Sequence, residues 1–399
     1  MQICICRVRV KEWIKISDLL FFQEGPGVRN TQYTQSGVKL LNVANLVNGK
    51  VDLSTSDRYI SEDEAYGRYK HFLCDDGDFI IASSGIKVEY FDRKMGFVDS
   101  SMLPLCMNTS TIRFKVIDSK RLNIKYFMYY LKSIHFKQQL SKFITGSAQL
   151  NFGPSHLKKM NMPLVSLKEQ NDIVEKLSKV ELLLDKYNGE IKLLDELIKA
   201  RFVEMFGDPV DNPMNWKKKK LKDIVTEDCT ISYGIVQTGE EQKEGIPVFR
   251  PVDIVNHTPK VEELKKTTEF ISDRYKKTLL KGHELLITVR ANIADTFIAN
   301  EEFLGCNVGR GIVPIRTQED IMRLEFLKCL IDNKHLNDIL KSKAKGITLI
   351  QLNMEDLRNV ELIIPPIDLQ LDYLKYSRLI DKSRLLSNHS LFLIKSLIF

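Results

Sequence analysis

Arg290-Ala-Asn292 follows an apolar run, Leu285-Leu-Ile-Thr-Val, that reads as a buried strand. Side chains just past such a strand end are well placed to project. Arg310 stands between Gly309 and Gly311, where small neighbours permit close approach. Lys345, Thr348 and Gln351 surround a small-residue loop, Lys345-Gly-Ile-Thr. About 200 residues earlier a comparable set occurs: Ser83, Ser84 and Lys87, then Gln149, Asn151 and Lys158 after the loop Thr145-Gly-Ser-Ala. All of these are hydroxyl, amide or multi-donor cationic groups. Their chemistry is hydrogen bonding and charge pairing, not the making of covalent bonds. A solvated loop side chain is the other reading for each of them.

Bond-making machinery is hard to find. The chain has no GxxxxGK[ST] phosphate loop, no GxSxG elbow and no HExxH helix. Gly25-Pro-Gly27 is a turn, not a phosphate cradle, and the seven histidines are scattered. The seven cysteines form no CxxC pair and no grouping with zinc spacing, so they read as free thiols in a reducing compartment. No catalytic residue and no metal site is expected. The pattern suits binding and assembly.

A chain of 399 residues, 43% hydrophobic and 28% charged, is long enough for two or three domains with real cores. No apolar run approaches the roughly 18 residues of a membrane span. The opening MQICICRVRVK alternates like a strand and lacks a signal-peptide core, which predicts a cytoplasmic protein. The net charge is +7. Residues 169–206 hold nine acids and six bases, a net −3 that leaves +10 for the rest of the chain. That distribution suits phosphate contact by the parts outside this stretch.

The same stretch is the element that must position the rest. Ile173, Leu177, Val180, Leu184, Tyr187, Ile191, Leu194 and Ile198 recur at alternating steps of four and three. That is a heptad seam, the signature of a long helix that needs a partner helix. Ser166-Leu-Lys-Glu169 reads as a capping box at its start, and Gly207-Asp-Pro209 as its stop. At about 1.5 Å per residue the rod is roughly 57 Å long. Gly189 inside it either permits close helix approach or is simply tolerated.

The chain also repeats itself. Trp13 with Ile16-Ser-Asp-Leu-Leu is echoed by Trp216 with Leu221-Lys-Asp-Ile-Val, 203 residues on. Gly37-Val-Lys-Leu-Leu matches Gly245-Ile-Pro-Val-Phe at 208, and Gly77 matches Gly282 at 205. Tyr59-Ile-Ser matches Phe270-Ile-Ser, Gln149-Leu-Asn matches Gln351-Leu-Asn at 202, and Leu157…Gln170 matches Leu357…Gln370 at 200. The constant order means a duplicated domain. Each half runs from short strands (Val38–Leu46, Asp78–Ser83 and Thr111–Val116 in the first) to a helical patch, 124–143 or 322–340, then a loop, an extended piece and a long helix. The second long helix is shorter and less regular. Its projected seam is Tyr373, Tyr376, Ile380, Ser383, Ser387, Ser390, Ile394 and Leu397, with Leu379, Leu386 and Leu393 as a shifted alternative.

Arg201-Phe-Val-Glu-Met-Phe-Gly-Asp-Pro209, Asn212-Pro-Met-Asn-Trp216 and Leu221-Lys-Asp-Ile together resemble the junction in the specificity subunits of Type I restriction-modification enzymes. There a central helix ends and a second target-recognition domain begins. Leu167-Lys-Glu-Gln170 and Pro365-Pro-Ile-Asp-Leu-Gln370 are similar to that family's entries into its two spacer helices, although the second lacks the Glu before Gln.

The resemblance covers essentially the whole chain. It implies an α+β fold with two similar target-recognition domains, at 1–165 and 208–364. Two long antiparallel coiled-coil spacer helices, at 166–207 and 365–399, separate them in a pseudo-twofold arrangement. It also implies a non-catalytic subunit whose domains each read half of a split target in double-stranded DNA. The helices would set the gap and dock two modification subunits. S-adenosylmethionine would sit on those partners, with ATP and Mg also on partner subunits including the restriction subunits. No cofactor would bind this chain. Two other readings stay open on the residues alone. One is a self-contained nuclease or methyltransferase, which the missing motifs disfavour. The other is a coiled-coil scaffold for proteins, which the excess positive charge disfavours.

Overall fold

The computed structural model describes residues 12–142, 150–254, 259–346 and 350–398. The opening strand expected at 1–11 and the loop from Thr145 lie outside these residues. The chain forms two compact units. One comprises the chain up to Gly189 together with Ser387 onward, and the other comprises Glu190–Leu386.

In the first unit an antiparallel sheet of four strands orders Leu20–Glu24, Thr111–Val116, Phe79–Ala82 and Met95–Phe97. A second sheet sets Leu105–Met107 parallel to Val38–Leu41, which pairs antiparallel with Tyr59–Ile60. The second unit repeats the plan. Its three-stranded sheet orders Thr296–Ala299, Glu284–Thr288 and Ile312–Ile315. Asn307–Val308 lies parallel to Ile246–Phe249, which pairs antiparallel with Lys265–Thr267. The buried strand read at Leu285-Leu-Ile-Thr-Val is therefore real, and every residue of Glu284–Thr288 is buried.

The repeat extends to single atoms. Gly37 and Gly245 both take positive φ (130° and 144°), and a Cβ on either would come within 2.2 Å of a carbonyl oxygen, of Ile60 or of Thr267. Only glycine fits both places. Buried ion pairs also recur: Arg113 with Asp78 at 3.2 Å, and Arg316 with Glu284 at 3.1 Å. Two sequence matches are corrected by this geometry. Tyr59-Ile-Ser does not correspond to Phe270-Ile-Ser. Instead Ser61 and Thr268 each follow the equivalent strand and each accept a hydrogen bond at a helix start. Phe152 and Leu352 make the same backbone bond, so the offset there is 200, not the 202 suggested by Gln149-Leu-Asn and Gln351-Leu-Asn. Short matches slip because two or three identical letters carry less register information than a hydrogen-bond ladder.

The helical patches are each broken once, at positions 200 apart. Ile124–Lys132 and Ile134–Ser141 meet at Ser133, whose hydroxyl accepts from Phe136 N–H. Leu324–Asp332 and Lys334–Ser342 meet at Asn333, whose carbonyl accepts from His335 N–H. In each case a side-chain oxygen replaces a backbone acceptor at a new helix start.

The central long helix is Leu167–Phe206, and the second is Ile367–Ile398. The capping box is formed: Glu169 accepts from Ser166 N–H at 2.9 Å, and Ser166 Oγ accepts from Glu169 N–H at 3.3 Å. All eight expected seam residues, Ile173 to Ile198, are half-buried, while most of their flanking residues are exposed. Within the second unit the helices run antiparallel, because Asp195 meets Arg384 at 3.0 Å, Arg201 lies over the Tyr376 ring, and Phe202 packs on Tyr373. The second helix departs from its projected seam. Ser383 is exposed and Arg384 takes its place, while Leu379, Leu386 and Leu393 are exposed and supply no alternative seam. Gly189 has open space where a Cβ would stand, so it mediates no close approach.

The junction after the central helix is a compact turn. Gly207 takes φ +72°, and a Cβ there would lie 2.6 Å from Pro213 Cγ. Asp208 Oδ1 accepts from the N–H groups of Val210 and Asp211. The Trp216 indole donates to the Phe206 carbonyl at 3.0 Å, satisfying a group that the helix end leaves free.

Candidate nucleic-acid interface

Four of the side chains singled out in the sequence, Ser84, Asn151, Arg290 and Gln351, lie on one recurring joint. In the first unit Ser84–Ile86 pairs antiparallel with Leu150–Asn151, which sets Asn151 opposite Ser84. Phe152 N–H donates to the Ser83 carbonyl at 3.0 Å. In the second unit Arg290 is bridged to Gln351, and Leu352 N–H donates to the Val289 carbonyl at 2.9 Å. Residues far apart in the chain thus meet where a core strand runs out into a loop. Asn151 and Gln351 occupy the same place in the two units, as do Ser84 and Arg290.

The first joint is built from small polar groups. Ser84 Oγ lies 2.7 Å from Ser110 Oγ, and Asn151 is exposed. Ser83 does not face solvent: it is buried and its hydroxyl donates to Glu24 at 3.3 Å. It positions the strand end, which corrects its reading as a contact residue. Lys87 and Lys158 are both exposed, the latter just after the short helix Pro154–Leu157. Gln149 lies outside the described residues.

The second joint is larger and more basic. Arg290 begins the connection between strands Glu284–Thr288 and Thr296–Ala299. Within it Ala291 and Ala294 take φ of 61° and 62°. Left-handed alanines cost about 1 kcal/mol each, and Thr288 holds this turn by accepting from Asp295 N–H at 2.9 Å and donating to the Asn292 carbonyl. Asn292 is exposed at the tip. Gly311 lies against Arg290, its missing Cβ being 3.4 Å from Arg290 Cβ, and the exposed Arg310 precedes it. Lys345 and Gln351 exchange backbone hydrogen bonds at 2.9 and 3.0 Å and so close the loop between them. Thr348, inside that loop, lies outside the described residues. Burial raises the Asp295 carboxyl above its ordinary range, with Lys341 opposing and Asp332 adding to the shift.

Two participants escaped the sequence reading. Tyr233 accepts a hydrogen bond from Gln351, and Glu24 receives one from Ser83. Both precede a glycine held tightly against backbone: a Cβ on Gly25 would lie 2.1 Å from Asn108 O, and on Gly234 1.8 Å from Val308 O. The shared Gly25 and Gly234 were the available signal, but a lone glycine match is too short to stand out. Among the described residues Asp208, Asp211 and His335 bring potential ligand atoms within 4.8 Å of one another. Asp208 already accepts from two backbone N–H groups and makes a 3.1 Å contact with His335 Nδ1, so it serves as a cap. No helix among the described residues is long and apolar enough to cross a membrane.

Comparison with known proteins agrees with this architecture. Residues 11–194 and 213–382 match the family model described as Type I restriction modification DNA specificity domain. The Type I restriction enzyme EcoBI specificity subunit of Escherichia coli is 23% identical over 232 residues, 52% of this chain and 49% of that protein. The putative type I restriction enzyme MjaX specificity subunit of Methanocaldococcus jannaschii is 24% identical over 274 residues, 64% of this chain and 61% of that one. The chain thus matches about half the length of the first of these relatives. The crystal structure of a Type-I restriction-modification system S subunit from M. genitalium shares the fold, with a TM-score of 0.59 at 15% identity over 100% of this chain and 97% of that one. With two copies of the domain in tandem, the chain belongs to the Type I restriction modification DNA specificity family.

Proposed function

We propose that this chain is the DNA sequence-specificity subunit of a Type I restriction-modification complex, without catalysis of its own. Each recognition domain reads one half of a bipartite target. The paired helices set the gap and dock two modification subunits, which supply S-adenosylmethionine and adenine methyl transfer. Restriction subunits with ATP and Mg complete the complex in the cytoplasm. The observation that carries this reading is the twice-built joint, with Ser84 and Asn151 in one unit where Arg290 and Gln351 stand in the other. The scaffold is constant and the polar side chains differ, as reading two different half-sites requires. The helices also leave apolar side chains uncovered: Leu182, Leu193, Leu386 and Phe392 are each more than 60% exposed. Exposed apolar side chains of this size on both helices support subunit docking.

The test is methylation-site mapping by single-molecule sequencing in a methylation-deficient host that expresses this chain with its neighbouring modification subunit. Methyladenine at one bipartite motif, lost when this chain is omitted, is the expected result. Methylation by the purified chain alone would overturn it.

A further inference from the structure

Arg290 differs from most other arginines of its unit in what holds it. Arg250, Arg316, Arg323 and Arg384 each lie against a carboxylate. Arg290 is instead held by a neutral amide: its Nε donates to Gln351 Oε1 at 2.6 Å. The other arm of that amide donates to the Tyr233 hydroxyl. Both ends of Gln351 are therefore engaged, which holds its amide in place. With Nε taken, the guanidinium plane is set, and Nη1 and Nη2 make no hydrogen bond to any described residue. What remains is a pair of parallel donors on a half-buried side chain, with no carboxylate against it among the described residues.

We propose that Arg290, positioned by Gln351 and Tyr233, reads a guanine in the half-site recognised by the second unit. This rests on the specificity-subunit reading above. Two parallel N–H donors match the O6 and N7 acceptors that guanine presents in the major groove. A phosphate offers the same two acceptors, but contact with it needs no fixed plane. The built features here all fix a plane and a direction: the amide clamp, the Tyr233 anchor and the left-handed Ala291. Among the described residues of the first unit there is no equivalent clamp; Ser84 stands at that place, against Ser110. The two half-sites therefore differ at this position.

The experiment maps methylation with the full chain and its modification subunit, for the wild type and for Arg290→Ala, Arg290→Gln, Gln351→Ala and Gln351→Glu. The wild type should give a motif with an invariant guanine in one half-site. Arg290→Ala should relax that one position by about 10- to 100-fold, the value of one bidentate contact, and leave the other half-site intact. Arg290→Gln should shift the position toward adenine, whose N6 and N7 suit an amide. Gln351→Ala should relax the same position in part, and Gln351→Glu, which keeps the acceptor for Nε, should restore it. Uniformly weaker methylation with every position retained would mean a phosphate contact and would overturn the proposal. Relaxation at a base other than guanine would overturn it too. A wild-type chain that yields no motif defeats the specificity-subunit reading itself, before any variant is compared. Unchanged thermal unfolding and retention of the modification subunit guard against misfolded variants.

Discussion

The side-chain carbonyl of Gln170 accepts the backbone N–H of Asn123 at 2.8 Å, and its amide nitrogen donates to the carbonyls of Arg121 and Val165. Gln370 repeats this with Arg323, Ile321 and Pro365, every partner shifted by 200 residues. Both glutamines are fully buried. Each ties the first turn of a long helix to the chain entering a shorter one, so the direction of the rod is set by the body it leaves. Gln170→Ala or Gln370→Ala strands one N–H and two carbonyls in the interior. The expected cost is about 2–4 kcal/mol, measured by urea unfolding of the full chain. A loss below about 0.5 kcal/mol would show that water replaces the amide without penalty.

The duplicated ion pairs give a second check. Arg113 also donates to Gln23 Oε1 and to the carbonyls of Leu73 and His71, so Asp78→Ala leaves a buried guanidinium short of its counter-charge. Glu284→Ala leaves Arg316 with Asp228 alone, at 3.4 Å, and strands the N–H groups of Lys281, Gly282 and His283 that the Glu284 carboxylate accepts from. Either change should destabilise by about 3–5 kcal/mol, seen as a lower Tm.

Gly189 predicts the opposite sign. It lies inside a helix with nothing within 4 Å of its missing Cβ. Gly189→Ala should stabilise the chain by up to about 1 kcal/mol, visible in chemical denaturation. A neutral or negative effect would mean that the helix is not continuous there in solution.

Asp295 gives a pH dependence. Its carboxyl titrates above the usual range because burial disfavours the ion. The folded state then holds its proton more tightly than the unfolded chain. Stability from this group is full below the ordinary carboxylate pKa and is lost as pH rises through the raised value. Asp295→Asn should therefore raise Tm slightly at pH 7 and leave it nearly unchanged at low pH. An equal shift at both pH values would assign the effect to packing instead.

The spacer reading is open to a length test. A heptad adds about 10 Å of helix, about three base pairs of duplex, and keeps the seam on one face. Heptads inserted in register into 173–198 and into the facing part of the second helix should lengthen the tolerated gap between half-sites. The half-site sequences should stay the same in methylation mapping. If they changed, the helices would do more than set distance.

The central helix, its seam and the duplication were legible in the sequence because they rest on local periodicity and on ordered matches along one chain. Ile173 to Ile198 could be read from spacing, since steps of three and four place residues on one helical face whatever lies around them. The second helix was read less well. Its Arg384 and the exposed Leu379 and Leu386 depend on which partner side chains face them, and spacing holds no record of a partner. The joint shows the same division. The stretches at Ser84, Asn151, Arg290 and Gln351 stood out by residue type and position. Their meeting across the sheet edge, the burial of Ser83, and the capture of Gln351 by Arg290 and Tyr233 were decided by tertiary structure alone. Those contacts join residues from 61 to 118 positions apart, and a hydrogen bond over that separation exists only once the intervening strands have packed.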